Sequence, residues 1–414
     1  MPVPETSPRS VWRPDASAQA DGPFTRHLHP ADLRGAAQLA TEATLETTRL
    51  VEAVHAAVLT SLRPGSADPP PRTTGLTGFI YRTVRRIAGI AGVGSGRLMA
   101  ALEKAFAPMP RPDTDVRDRV LSVLNGILGD HLSASGNPLA RSFSLRTPDG
   151  RPVDPDAMEN AAPDTLVVFV HGLCLSDRDW IPATRDRTGH VEAITTAVDG
   201  TAVLARYNSG RALSANGQAL ATHLKRLTTS ADEGARVVIV THSMGGLVAR
   251  SALRHARRTS ASWLDLVTET IYLGTPHRGA PLERAGTWIE TQLRRTPVTA
   301  PFADLADRRS RGIQDLRCGI DALNDGPPSD PADRDHTASS SSRALYVAGA
   351  MVPSPPTGRV VGDGLVPVSS ALDLPEPGCA ANRRVVEQCG HFDLLHDPAV
   401  TEQLLRWLSA TSAA

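Results

Sequence analysis

The sequence carries no net charge: 44 lysines and arginines stand against 44 aspartates and glutamates. No field of one sign favours a nucleic-acid backbone, so nucleic acid is excluded as a partner. Lysine is almost missing, with Lys104 and Lys225 the only two. The basic complement is therefore arginine, which with abundant alanine, glycine and proline reads as a GC-rich coding sequence rather than a function. Four cysteines, Cys174, Cys318, Cys379 and Cys389, are too few for a disulfide scaffold of this length and lack zinc-ligand spacing. Cys379 and Cys389 are close enough to pair, and such a bridge would argue for export; without it the thiols are those of a reducing compartment. No run reaches the ~20 apolar residues of a membrane span. The first thirty residues are polar and proline-rich rather than a secretory signal. Together these absences predict a soluble, cytoplasmic protein that needs no cofactor and no metal.

What is present falls into two textures. Residues 1–30 read as a disordered tail. Residues 31–62 repeat apolar and small positions at steps of three and four, a long amphipathic helix stopped by Arg63-Pro64-Gly65. Residues 79–106 keep helical spacing through Gly89, Gly92, Gly94 and Gly96, and a third helix begins near Asp113. The helical module is thus predicted to span 31–140. Arg82, Arg85 and Arg86 are spaced to share one face of the 79–106 helix, opposite its apolar residues. That face is either the solvated side of a packing module or a peripheral membrane or partner-docking contact.

From residue 141 strands alternate with helices, which implies a mainly parallel sheet covered on both faces. The strand segments are "RSFSLRTPDGRPV", "DTLVVFVHG", "TAVLARYNSG", "ARVVIV", "TETIYLG", "RALYVAG" and "NRRVVEQCG". An insertion at about 277–342 has no strand character and reads as a cap.

Chemistry enters at "VVIVTHSMGGLVAR". A β-branched run stops at Ser243, and helical spacing starts just beyond it, giving strand, sharp turn and helix. The segment approximates the G-x-S-x-G nucleophile elbow, with Gly245 at plus two but Thr241 where the first glycine belongs. Alternatively Ser243 merely caps the helix. A serine hydroxyl needs a base, and the base needs a group to orient it. Asp363 lies in the glycine-framed loop "GRVVGDGLVPVSSA", and His391 follows the last strand in "VEQCGHFDLLHDP". Their order with Ser243 is that of a hydrolase triad built at strand C-termini. The backbone N–H groups of Leu173 and Met244 are the candidate oxyanion donors. His396 is a second candidate base, Asp393 could orient the His391 loop, and His242 reads as packing. His277 reads as shaping the cap entrance, and a metal role for it with His336 has no supporting spacing.

The motifs "VHGL", "THSMGG", "LGTPHRGA", "GDGLVPVSSA" and "GHFDLL", in that order over residues 141–410, resemble the bacterial lipase and esterase branch of the α/β hydrolases, including relatives of the GPI inositol-deacylase (PGAP1-like) group. The resemblance implies an α/β-hydrolase fold over 141–414 with Ser243 as nucleophile, Asp363 as acid, His391 as base, and Leu173 and Met244 as oxyanion donors. Trp180, Ile181 and Trp288 are expected to meet the acyl part of a lipid or small-molecule ester, because such side chains gain most by burying hydrocarbon. The expected activity is carboxylic-ester hydrolysis of the lipase or esterase type. An acyltransferase using the same acyl-enzyme, or a non-catalytic lipid-binding scaffold on a hydrolase fold, are the alternatives.

Overall fold

The uninterrupted β-branched runs become the centre of a seven-stranded sheet. In the computed structural model, which describes residues 29–61, 75–105, 113–154, 163–182, 188–232, 234–280, 310–323, 342–351, 362–372 and 382–410, the chain divides into two units, Met1–Arg117 and Asp118–Ala414.

The second unit carries β1 (Ser144–Arg146), β2 (Thr165–Val170), β3 (Thr201–Arg206), β4 (Arg236–His242), β5 (Val267–Leu273), β6 (Arg343–Ala350) and β7 (Asn382–Glu387). Their order is β1-β3-β2-β4-β5-β6-β7. Only the edge pair β1 and β3 is antiparallel; the other five pairings are parallel. Every residue of β2 is buried, as expected of a parallel strand with both faces covered. Alternate residues explain one of those faces. Val167 and Phe169 of β2, Val238 and Val240 of β4, Ile271 and Leu273 of β5 join Leu345 and Val347 of β6 in one cluster. The helices α4 (His190–Val198) and α9 (Pro398–Ser409) close it with Ile194, Val400, Leu404 and Trp407. The remaining α-helices among the described residues of this unit are α3 (Asp115–Ala134, from Asp118 onward), α5 (Leu213–Leu227), α6 (Met244–Arg258), α7 (Arg311–Cys318) and α8 (Val368–Leu372).

From Asp118 onward α3 belongs with the sheet rather than with the helices before it, which moves the boundary expected near residue 140. The reason is a set of buried polar ties that hydrophobic spacing does not reveal. Arg141 donates to Asp118 at 2.6 Å, and Arg206 of β3 lies 3.6 Å from the same carboxylate. Burial alone would raise the Asp118 pKa, but Arg141 and Arg206 outweigh it and hold the carboxyl below its usual range. Asn125 donates to the Leu139 carbonyl and accepts from the Arg141 N–H. Asn208, just past β3, donates to the Gly129 carbonyl at 2.8 Å.

The cap insertion is described over 277–280 and 310–323, with α7 as its helix. Ser310 donates to the Gly126 carbonyl at 2.7 Å, and Asp315 accepts from the Leu213 N–H at 3.0 Å. The insertion therefore caps the first turn of α5, whose own N-cap, Ala212, has no side chain to do so.

The first unit holds α1 (Pro30–Ser61) and α2 (Gly75–Ala105). The α2 glycines do not interrupt it. Arg85 pairs with Glu52 of α1, and a Cβ on Gly92 would lie 2.4 Å from Thr41 Cγ2, so this face of α2 meets α1. The three arginines are thereby split. Arg85 turns to α1, whereas Arg82 and Arg86 are exposed, on the same side as exposed apolar residues rather than opposite them. The expected tail up to residue 28 lies outside the described residues. Among the described residues no helix is long and apolar enough to cross a membrane.

Candidate active site

The strand β4 ends at His242 and α6 begins at Met244, leaving Ser243 alone to turn the chain. Its φ of 53° is a conformation that L-residues with a Cβ rarely hold. The hydroxyl makes no cap to α6. Instead its Oγ lies 2.8 Å from His391 Nε2, which separates the elbow from the helix-cap alternative. The turn is crowded from both sides. A Cβ at Gly245 would sit 2.3 Å from the Val170 carbonyl oxygen and 2.5 Å from that of His171. Thr241 fits where glycine was expected because it is fully buried and its Oγ1 donates to the Ile271 carbonyl on β5 at 2.9 Å.

The loop after β6 carries Asp363. Its Oδ1 accepts from the N–H groups of Leu365 and Val366 at 3.0 and 2.8 Å, while Oδ2 faces His391 Nδ1 at 2.7 Å. The carboxylate is thus fixed before it touches the imidazole. The His391 N–H donates to the Asp363 carbonyl at 2.9 Å, so main chain as well as side chain joins these loops. Asp393 accepts from the Gly390 N–H at 2.8 Å and steadies the loop just before His391. His396 closes a short turn after Asp393, and its ring pKa is lowered chiefly by burial.

Leu173 follows β2 beside the elbow: a Cβ on Gly172 would lie 2.9 Å from Ser243 Cβ. The next residue, Cys174, donates its N–H to Ser209 Oγ at 3.0 Å. Among the described residues the N–H groups of Leu173 and Met244 have no acceptor. Behind this loop the Tyr207 hydroxyl donates to the His171 carbonyl at 2.6 Å, and the two rings stack with centroids 4.2 Å apart. Burial lowers the His171 pKa to about 3, so its ring is neutral and Nδ1 donates to the Gly172 carbonyl at 2.8 Å.

A cleft opens over Ser243 and His391, with Leu173, Leu175, Pro276 and Ala280 among its walls. Leu316 of α7, Leu365, Val366, Phe392 and the His242 ring complete a mainly apolar lining. Of the residues expected to meet an acyl group, Trp180 and Ile181 do not line this cleft. Trp180 is fully buried, edge-on to Phe169 in the sheet core, and Ile181 is 37% exposed beyond the same turn. The segment turns back onto the sheet through a capping box at Ser176, which directs the indole inward. Trp288 lies outside the described residues, as do His336 and Cys379. His277 accepts from buried Arg250 at 2.6 Å and does not line the cleft. Leu365, Val366 and Phe392 adjoin Asp363 and His391 in sequence, so adjacency signals them. Nothing in the sequence signals Leu316, which reaches the cleft only through the fold of the insertion.

Residues 163–308 match the family model described as a PGAP1-like alpha/beta domain. Comparison with curated proteins gives no match. Among solved structures the chain is similar to the Bacillus licheniformis lipase BlEst2 in mature form, with 21% identity over 64% of this chain and 98% of that one and a TM-score of 0.42. It is also similar to a thermophilic esterase from Thermogutta terrifontis, 15% identical over 65% and 93% of the two chains with a TM-score of 0.35. A third is the RedJ thioesterase of the prodiginine biosynthetic pathway in Streptomyces coelicolor, 15% identical over 62% and 88% with a TM-score of 0.38. With its mainly parallel seven-stranded sheet and the serine turn after β4, the chain has an α/β-hydrolase fold, and residues 163–308 of it are similar to the PGAP1-like alpha/beta domain.

Proposed function

We propose that the protein is a serine hydrolase of carboxylic esters, acting on lipid-like acyl esters. One observation carries the reading: a continuous chain of contacts from Asp363 Oδ2 through the His391 ring to Ser243 Oγ, with links of 2.7 and 2.8 Å. In this mechanism Asp363 holds the Nδ1–H of His391, leaving Nε2 free to take the Ser243 proton as Oγ attacks the ester carbonyl. The carbonyl oxygen gains charge and is met by the N–H groups of Leu173 and Met244, each such donor being worth about 3–4 kcal/mol to the transition state. The C–O bond to the alcohol breaks, and the alcohol leaves with the proton from His391. Water then gives a proton to His391, attacks the acyl carbon and frees the acid, and Ser243 recovers its proton. The apolar cleft supports an acyl chain as the part recognised, since hydrocarbon burial contributes about 25 cal/mol per Å² and the lining offers few polar groups for a peptide or sugar.

The test is covalent. A fluorophosphonate probe should label the protein at Ser243, and Ser243→Ala should remove both labelling and several powers of ten of ester turnover while the protein stays folded. Full labelling of that variant would exclude Ser243. An acyl-length series, run with and without added alcohols, then separates lipid from short esters and hydrolysis from acyl transfer.

A further inference from the structure

We infer that the outer face of α2 is a docking surface for an anionic lipid bilayer. Successive helical residues turn by about 100°, so Ile87, Ile90, Gly94, Leu98 and Ala101, at steps of three and four, form one stripe. Arg86, Ile90, Val93 and Arg97 form the row beside it, and Arg82 continues that border one turn earlier. The opposite side is spoken for: Arg85 meets Glu52, and Gly92 meets Thr41.

The outer stripe is apolar and bare. Ile87 is 63% exposed, Ile90 69%, Val93 57% and Leu98 58%. Helices that pack on protein bury such residues, and four of them on one face exceed the scattered exposure ordinary on a surface. Arg82, Arg86 and Arg97 are also exposed and, among the described side chains, form no ion pair. The only acidic residue in α2 is Glu103. An apolar face bordered by unpaired arginines suits a helix lying in a lipid headgroup region. The aliphatic side chains enter the acyl boundary and the guanidinium groups meet lipid phosphates. A protein partner of uncharged surface would leave those arginines unmatched, and the bordering charge commits the face to an anionic surface.

The experiment uses the full chain and sedimentation with vesicles of phosphatidylcholine alone or mixed with phosphatidylglycerol. Binding is expected to the mixed vesicles, and to weaken as salt rises. Changing Arg82, Arg86 and Arg97 together to glutamine should weaken it about 100-fold, at roughly fivefold per arginine. Changing Ile87, Ile90 and Leu98 to serine should abolish it, with helical circular dichroism and turnover of a short soluble ester unchanged. The inference fails if both vesicle types bind equally or not at all, or if the arginine variant binds as the parent does. It fails equally if the serine variant converts a dimer to a monomer in sedimentation velocity while no vesicle binding exists, because the face would then bind a second copy. The vesicle-binding, circular-dichroism and sedimentation readouts do not depend on Ser243 being a nucleophile.

Discussion

His242 Nε2 lies 2.9 Å from the carbonyl oxygen of His391. A carbonyl can only accept, so the proton of the His242 ring sits on Nε2. Burial, and then the neighbouring His391 ring, hold the His242 pKa well below that of an ordinary histidine, which keeps the ring neutral. The residue before the elbow therefore fixes the loop that carries the proposed base, and Nδ1 of the same ring, which lines the cleft, has no partner among the described residues. This contact with His391 predicts a positioning role for His242. His242→Gln, which can offer an N–H from a similar depth, should keep turnover within about tenfold of the parent. His242→Leu should lower kcat by about 100-fold with KM little changed, as expected when a misplaced catalytic group costs rate rather than binding. Equal losses in the two variants, or a loss in KM alone, would contradict this role.

Two glycines near the elbow should fail in different ways. At Gly172 an added Cβ meets side-chain atoms first, Ser243 Cβ at 2.9 Å and His242 Nδ1 at 3.2 Å, so the elbow can shift while the sheet holds. Gly172→Ala is expected to cut turnover by about 100-fold, the scale of a disturbed oxyanion site, with a small change in unfolding midpoint. At Gly245 the Cβ meets main-chain oxygens of Val170 and His171, which only strand movement can relieve. Gly245→Ala should therefore destabilise the fold by about 3 kcal/mol or more, beyond ordinary overpacking. Denaturant titration beside steady-state kinetics separates the two.

What the sequence disclosed follows from the range of the forces involved. The central strand segments were legible because parallel strands buried on both faces leave unbroken apolar runs, as in Val237–Val240, whereas the edge strands β1 and β7 carry no such run. The juxtaposition of Ser243, Asp363 and His391 was legible because each lies beyond a strand end, in an order that a sheet of this type brings together. Thr241 was a departure from the elbow pattern until its hydroxyl was found on the Ile271 carbonyl, a contact 30 residues distant that no local spacing encodes. The misreading of Trp180 has the same origin: a large apolar side chain after the oxyanion loop can face the cleft or the core, and the turn at Ser176 decides. The boundary of the helical module shifted because Asp118, Arg141 and Arg206 are charged residues whose mutual burial is a tertiary fact. Helical periodicity alone could not tell which unit α3 joins.

The last prediction concerns pH and stability. His190, at the first turn of α4, is fully buried with Nε2 2.9 Å from the Leu394 carbonyl and Nδ1 2.9 Å from Thr401 Oγ1 of α9. Nε2 donates to the carbonyl, and in the neutral ring Nδ1 accepts the hydroxyl proton; burial, rather than these two partners, disfavours the charged ring. Burial lowers its pKa to about 4 from an ordinary 6.5. Between those values the unfolded chain binds a proton that the folded chain refuses, so stability rises with pH across the window. The contribution is complete above about 6.5 and is lost as pH falls toward 4, amounting to ~3 kcal/mol. His171, lowered to about 3 by burial, adds a loss of the same sign that continues to lower pH. Asp118, held below 3.8 by its arginines, also loses stability with acid, but below the His190 window. His190→Gln removes the titration and keeps a donor. Its unfolding free energy from denaturant titrations should therefore fall less steeply than the parent's between pH 6.5 and 4, by up to ~1.4 kcal/mol per pH unit. At pH 7.5 the variant should be the less stable of the two, having lost the fit to Thr401, and the curves should converge as the pH is lowered. Parallel curves across the window would mean that His190 does not titrate there.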